Sequence, residues 1–322
     1  MTAVQREKNG FTLIELSIVI LIFAIVMGAV FSLYNTHLKN AYKQDENLDV
    51  QQSLRLAMDT ISRDIKMAGM LVPITATPLF SSTTSYSNYS SSITMNVSSP
   101  DGIYARITTG KATGAFANLT THVDSPQAVD AFLSTSYKTT DRIRVISPFN
   151  NSLTLQAGGT YSNYTSIVLV TTGGLTDRNS PRIGMQRAGG AAFAAGITLN
   201  VGDVIAKGAG TGTYDTVTYK LAAGTGVSPG NGCPAGQNCL FRSVNGASPG
   251  DVVAGYLSSL RFSYILSDNS EKNNPALVDV NAIKSVRVTV AGVPTSAKTA
   301  TDIAQKTRQI TSEVMLRNRR TN

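Results

Sequence analysis

The chain has no tryptophan, two histidines and two cysteines among 322 residues, and only 15% of its residues are charged. His37 and His122 lie far apart in sequence. That argues against a Ser-His-Asp triad and against zinc sites, which use about four ligands drawn mostly from His and Cys. No G-x-x-x-x-G-K-[ST] phosphate loop occurs. "GAGTGTYD" (208–215) has glycine at alternate positions, which is not the dinucleotide spacing, and no helical pattern follows it. It reads as a hairpin turn. Neither "DENLD" (45–49) nor "SDNSE" (267–271) has the acidic ladder of a calcium loop. The chain therefore reads as no enzyme, with no catalytic residue, no cofactor and no metal.

Proline is missing from residues 11–72, and charge is nearly missing from residues 11–34. Phe11 to Tyr34 is apolar throughout except for small and hydroxyl residues and one acid, Glu15. As a helix this run spans about 36 Å, enough for the hydrocarbon core of a bilayer. It is too long for the apolar part of a secretory signal, and no small-x-small cleavage site follows it. Arg6 and Lys8 precede it and Lys39 and Lys43 follow, so flanking charge does not orient it. A carboxylate in hydrocarbon costs several kcal/mol, so Glu15 needs a purpose.

Beyond the run, Leu54, Met58, Ile61, Ile65 and Ala68 recur at steps of four and three, the period of one helical stripe. Leu38, Tyr42 and Leu48 extend that stripe loosely. Gly69 suits a C-terminal cap and Pro73 forbids continuation. The pattern predicts one helix from about Thr12 to Ala68, its second half packed on a sheet. Asp59 and Asp64 lie five apart, on different sides of such a helix, and read as solvated or salt-bridged acids.

The formal charge is +8. Residues 1–70 carry seven Lys/Arg against seven Asp/Glu, so the excess falls in 71–322, where 21 basic residues face 13 acidic ones. It is scattered apart from Arg317, Arg319 and Arg320, which reads as a solvated surface. Binding of DNA or a surface ligand is the alternative for it.

Ser, Thr, Asn and Gly dominate residues 71–322, the composition of a β-rich exported domain. Residues 74–100 read as an exposed loop with one strand, Tyr86 and Tyr89 serving as loop anchors. Strand signals follow at 102–108, 141–147 and 165–172, then two short strands around a turn at 196–208. Residues 214–222 and 238–246 read as a hairpin whose connection holds Cys233 and Cys239. Residues 255–266 and 283–292 read as a second pair, and 307–318 as the last strand. In an oxidising compartment Cys233 and Cys239 are expected to form a disulfide, with metal binding as the rival.

"GFTLIELSIVILI" (10–22) resembles the N-terminal signal of type IV pilins and type II secretion pseudopilins. The resemblance implies that residues 1–10 are a leader cut at the Gly10–Phe11 bond by the prepilin peptidase/methylase. It also implies N-methylation of Phe11 and an assembly role for Glu15, the fifth mature residue. "LAMDTISRDIKMAGM" (56–70) and the order of the C-terminal strands resemble minor pilins of the PilW type and the related GspJ-type pseudopilins. The implied fold class is α+β and pilin-like. A long N-terminal helix packs on antiparallel β-sheet, with an extended β-rich insertion.

The implied organisation is a leader (1–10), a transmembrane and filament-core helix (11–34), an amphipathic helix (35–70) and a periplasmic or extracellular β-rich domain (71–322), in which 71–200 reads as an insertion. The implied function is that of a minor pilin in the initiation of a type IV pilus, at or near the tip. The alternatives are a type II secretion pseudopilin and a tip-located adhesion or DNA-binding module. Implied partners are other minor pilins, the major pilin, the inner membrane and the pilus assembly platform.

Overall fold

The computed structural model describes residues 12–72, 80–81, 85–86, 89–112, 118–134, 141–147, 167–170, 175–187, 198–210, 214–223, 233, 237–247, 250–273, 282–294 and 306–317. Its elements are α1 (Leu13–Met67), β1 (Phe80–Ser81), β2 (Ser85–Tyr86), β3 (Tyr89–Ser90), β4 (Ser92–Val97), β5 (Tyr104–Arg106), β6 (Lys111–Ala112), β7 (Asn118–His122), α2 (Pro126–Leu133) and β8 (Arg142–Ile146). Then follow β9 (Ile167–Leu169), β10 (Arg182–Arg187), β11 (Thr198–Leu199), β12 (Val204–Gly208), β13 (Asp215–Ala223), β14 (Asn238–Val244), β15 (Asp251–Ala254), β16 (Leu257–Leu266), β17 (Glu271–Lys272), β18 (Ile283–Gly292) and β19 (Arg308–Met315).

The fold is α+β, as the pattern predicts. At about 1.5 Å per residue, the 55 residues of α1 reach about 80 Å. The helix runs without interruption because proline is absent from it. It stops at Ala68, and Gly69 adopts φ +72°, the left-handed conformation that glycine enters without a Cβ clash. The Gly69 amide donates to the Asn96 carbonyl over 2.8 Å, which fastens the end of α1 to β4.

Val50, Leu54, Ala57, Met58, Ile61 and Ile65 form the buried stripe of α1. Two antiparallel sheets meet it, one in the order β1-β4-β13-β14-β15 and one in the order β19-β18-β16-β3-β2, with β17 paired to β16. Alternate residues of their strands point at the helix: Ile93 and Met95 of β4, Val217 and Tyr219 of β13, Phe262 and Tyr264 of β16, and Val286, Val288 and Val290 of β18. This is the period of two expected of half-buried strands. Leu38, Tyr42 and Leu48 do not extend the stripe. All three are solvent-exposed, because the helix has left the sheets before Val50.

A second core lies in the chain between β4 and β13. Ala105 of β5, Leu119 of β7, Val129 and Phe132 of α2, Ile143 and Val145 of β8, Met185 of β10 and Ile205 of β12 form it. Three small antiparallel sheets surround it, ordered β7-β10-β9, β5-β12-β8 and β11-β6. Yet β4 and β13 are direct antiparallel neighbours, with Val97 opposite Asp215. The second core thus fills the place of a hairpin loop between two paired strands.

Several sequence expectations need correction. The stretch 74–100 holds more than the one strand expected of it, β1 to β4, and β4 is an inner strand with Ile93 and Met95 fully buried. The side chains of Tyr86 and Tyr89 lie outside the described residues. Residues 208–215 are no hairpin turn: β12 and β13, on either side, belong to different sheets, so this stretch crosses from the second core to the first. The two short strands around a turn within 196–208 form as read, as β11 and β12, and they join different sheets: β11 pairs with β6 while β12 lies between β5 and β8. Within 71–200, β1 and β4 belong to the sheet that also holds β13, β14 and β15. The pairs β13–β14 and β16–β18 form as expected.

Candidate assembly site

Gly10 and Phe11 lie outside the described residues; the structure starts at Thr12, which caps α1. The Thr12 hydroxyl accepts from the Glu15 amide at 3.3 Å. In return Glu15 Oε2 accepts from the Thr12 amide at 2.9 Å and from its hydroxyl at 3.0 Å. This reciprocal capping box satisfies amide donors that a helix start otherwise leaves open. It gives the carboxylate local donors at the head of the apolar run. Among the described residues, the printed bonds of the carboxylate all run through Oε2 to Thr12.

From Leu13 to Asp49 the helix has no buried residue. Leu13, Ile18, Leu21, Phe23, Ile25, Val30 and Phe31 are all more than half exposed. By length and composition this part can cross a membrane. A bare apolar rod of that size has two physical outcomes, lipid or other apolar helices.

The other half of the helix is anchored by charge as well as by packing. Asp64, 4% exposed, is the one acid on the buried stripe. Its Oδ2 accepts from the Tyr219 hydroxyl of β13 at 2.7 Å and from Arg242 Nε of β14 at 2.7 Å. Arg242 also donates through Nη2 to the Pro100 carbonyl. Burial and the Asp64 charge push the Tyr219 hydroxyl far above its ordinary pKa. Burial pulls the Arg242 guanidinium down, but Asp64 more than reverses this and leaves it raised. Asp59 stays exposed, so of the two acids only Asp64 is salt-bridged into the fold.

A second buried pair joins the two cores. Arg144 of β8 donates through Nη1 to Asp215 Oδ2 at 2.7 Å and to the Ser98 carbonyl at 2.6 Å, with side chains 2% and 0% exposed. Asp215 also accepts from the Ala209 amide at 2.8 Å and the Asn245 side-chain amide at 2.6 Å. Gly208 is required here, because a Cβ would fall 2.4 Å from the Arg144 guanidinium. Lys207 adds a third tie, donating to Asp101 at 2.8 Å and lying 3.2 Å from Asp141. Burial pulls its ammonium down, and the two aspartates more than restore it, leaving it above its ordinary value.

Cys233 and Cys239 are bonded to each other, Cys239 within β14 and Cys233 in the connection before it. Among the described residues no group of three or more His, Cys, Asp or Glu is placed to hold a metal ion. Sequence reasoning left Asp64 undecided between solvent and a salt bridge, and it missed Arg144, Lys207 and Asp215. A buried position on the stripe was the available signal for Asp64. The others are brought together only by the crossing between sheets.

Residues 5–31 match the family described as Prokaryotic N-terminal methylation motif. No curated protein and no solved structure matches the chain. The motif is the prepilin-type signal of type IV pilin-like proteins, and here it heads a long helix set on antiparallel sheets. Motif, exposed apolar helix and β-rich head together support a pilin-like or pseudopilin-like structural subunit of a pilus or secretion assembly, anchored in the inner membrane before it assembles.

Proposed function

We propose that the chain is a minor pilin of the PilW type that helps initiate a type IV pilus and sits at or near its tip. The observation that carries this reading is the methylation motif at the head of a helix whose first half has no buried residue and whose second half is locked into a folded domain. A prepilin peptidase cuts the Gly10–Phe11 bond and the amine of Phe11 is methylated. The domain from residue 71 onward lies in the periplasm until the helix leaves the bilayer to join other minor pilins and the major pilin on the assembly platform.

Glu15 gives that transfer its register. Its carboxylate, at the exposed head of the helix, can accept the Phe11 amine of a neighbouring subunit. In a dry filament core an unpaired partner is heavily disfavoured, so the pairing fixes axial position more than it adds stability. The bulk of a domain with two cores supports an end position, since a large head is hard to repeat along a filament.

The test is direct. Mature protein recovered from cells is expected to begin at N-methylated Phe11 by mass spectrometry. Deleting the gene should abolish surface pili and leave type II secretion intact. A chain that still begins at Met1, or a deletion that stops secretion and spares pili, refutes the reading.

A further inference from the structure

The strand β19 ends its sheet. It pairs with β18 along its whole length, from Ser285 opposite Met315 to Gly292 opposite Arg308, without a bulge. Its other edge is open: among the described residues no backbone bond joins residues 308–315 to anything but β18. The Leu316 amide donates to the Lys284 carbonyl, continuing the same register. Antiparallel ladders alternate inward and outward groups, so Leu316, Val314, Ser312 and Ile310 face β18. The amides and carbonyls of Gln309, Thr311, Glu313 and Met315 therefore face outward. These four side chains are exposed, Met315 by 60%.

An open edge of eight residues is a template for another strand. The charges say which kind. Arg308 and Arg317 stand exposed at the two ends and form no ion pair among the described residues. Arg319 and Arg320 follow in sequence. The single acid, Glu313, is already engaged by the Ser285 hydroxyl at 2.7 Å and lies 3.6 Å from Arg287. A second copy of this chain is a poor occupant. Antiparallel self-pairing sets Arg317 of each copy beside Lys306 and Arg308 of the other, and like charges across a pair of strands are destabilising.

We propose that β19 is a docking edge for an extended segment of a different protein, about eight residues long and acidic at both ends. Such a strand spans about 26 Å, the length over which the outward amides and the terminal arginines are laid out. Main-chain bonds supply the attachment, and the arginines select the partner and reject self-association. This surface does not depend on how the N-terminal helix is processed or which machine it enters.

The experiment uses the full chain in detergent and two labelled nine-residue peptides of alternating threonine and valine, one with acidic ends and one with lysine ends. The acidic peptide is expected to bind and to slow amide exchange over residues 308–317, while the lysine peptide does not bind. Thr311→Pro removes an outward amide at a place where proline does not break the ladder to β18, so it should unfold like Thr311→Ala yet lose the peptide. Arg308→Glu with Arg317→Glu should reverse the preference, each change weakening the acidic peptide by about fivefold.

Several results overturn the proposal. They are equal binding of the two peptides, no binding of either, slowed exchange elsewhere, or binding that survives Thr311→Pro. Self-association in sedimentation that Thr311→Pro abolishes makes a second copy the occupant and overturns it as well. Should Thr311→Pro fail to fold, the double charge reversal decides alone.

Discussion

Val97 and Asp215 face each other on adjacent antiparallel strands, and the whole second core lies in the chain between them. The main sheet therefore does not need the second core for its topology. Replacing residues 99–213 with an Asn-Gly turn should leave a chain that folds, because a two-residue turn is a standard link between such strands. One change has to accompany it. Without Arg144, the buried carboxylate of Asp215 loses its charge partner, so the excision should be made with Asp215→Ser. Cooperative thermal unfolding of the shortened chain is the expected outcome. Loss of folding in both versions would show that the second core supports the first.

The Arg144–Asp215 pair offers a measurement of how the cores are joined. Each side chain is almost fully buried, so Arg144→Ala or Asp215→Ala leaves a charge unpaired in a dry site and should cost about 3–5 kcal/mol. The double variant removes both charges and should cost clearly less than the two single losses added together. Denaturant melts of the four proteins measure this. Additive losses would mean that the pair is not coupled.

Much of this fold was legible in sequence, and the boundary of legibility has a physical cause. The helix declared itself through a continuous apolar run, a stripe of period near 3.6 from Leu54 to Ala68 and the absence of proline, and β13, β14, β16 and β18 through β-branched runs bounded by turn residues. Those signals are local. The crossing at 208–215 was misread because glycine-rich chain serves a hairpin and a change of sheet equally well. The short helix α2 was missed although its start is written plainly. Ser125 caps it by accepting from the Ala128 amide, and Pro126 opens its first turn. For the assembly site, Glu15 stood out because an acid inside an apolar run is costly. The partners of Asp64 are Tyr219 and Arg242, on strands far along the chain, and no spacing rule brings them together.

Alkaline stability should expose the Asp64 anchor. The folded-state pKa of Tyr219 is raised by burial and by the Asp64 charge, and that of Lys207 is raised by Asp101 and Asp141. A raised pKa contributes stability that is fully present below the unfolded value, about 10 for either side chain, and is lost as pH rises toward the folded value. Stability should therefore fall above about pH 10. In Tyr219→Phe that decline should be shallower, with lower stability at neutral pH because Asp64 loses a donor. An unchanged alkaline slope in Tyr219→Phe would place the titrating group elsewhere.

The last prediction separates assembly from folding at Glu15. Glu15→Ala removes the carboxylate half of the capping box, a loss of about 1 kcal/mol or less at an exposed helix end. The domain, whose core begins at Val50, should not register that loss, and thermal melts of the variant should match the parent. Insertion and cleavage should also proceed, since the apolar run and the Gly10–Phe11 bond are intact. Incorporation into pili should nevertheless drop to near nothing, because an arriving subunit would have no acid to meet a neighbour's terminal amine inside the filament. Glu15→Gln, which keeps an acceptor but not the charge, should fail similarly if charge sets the register, and should assemble if a hydrogen bond is enough. Immunoblots of sheared pili against membrane fractions distinguish these outcomes. Normal incorporation of Glu15→Ala would remove Glu15 from the mechanism.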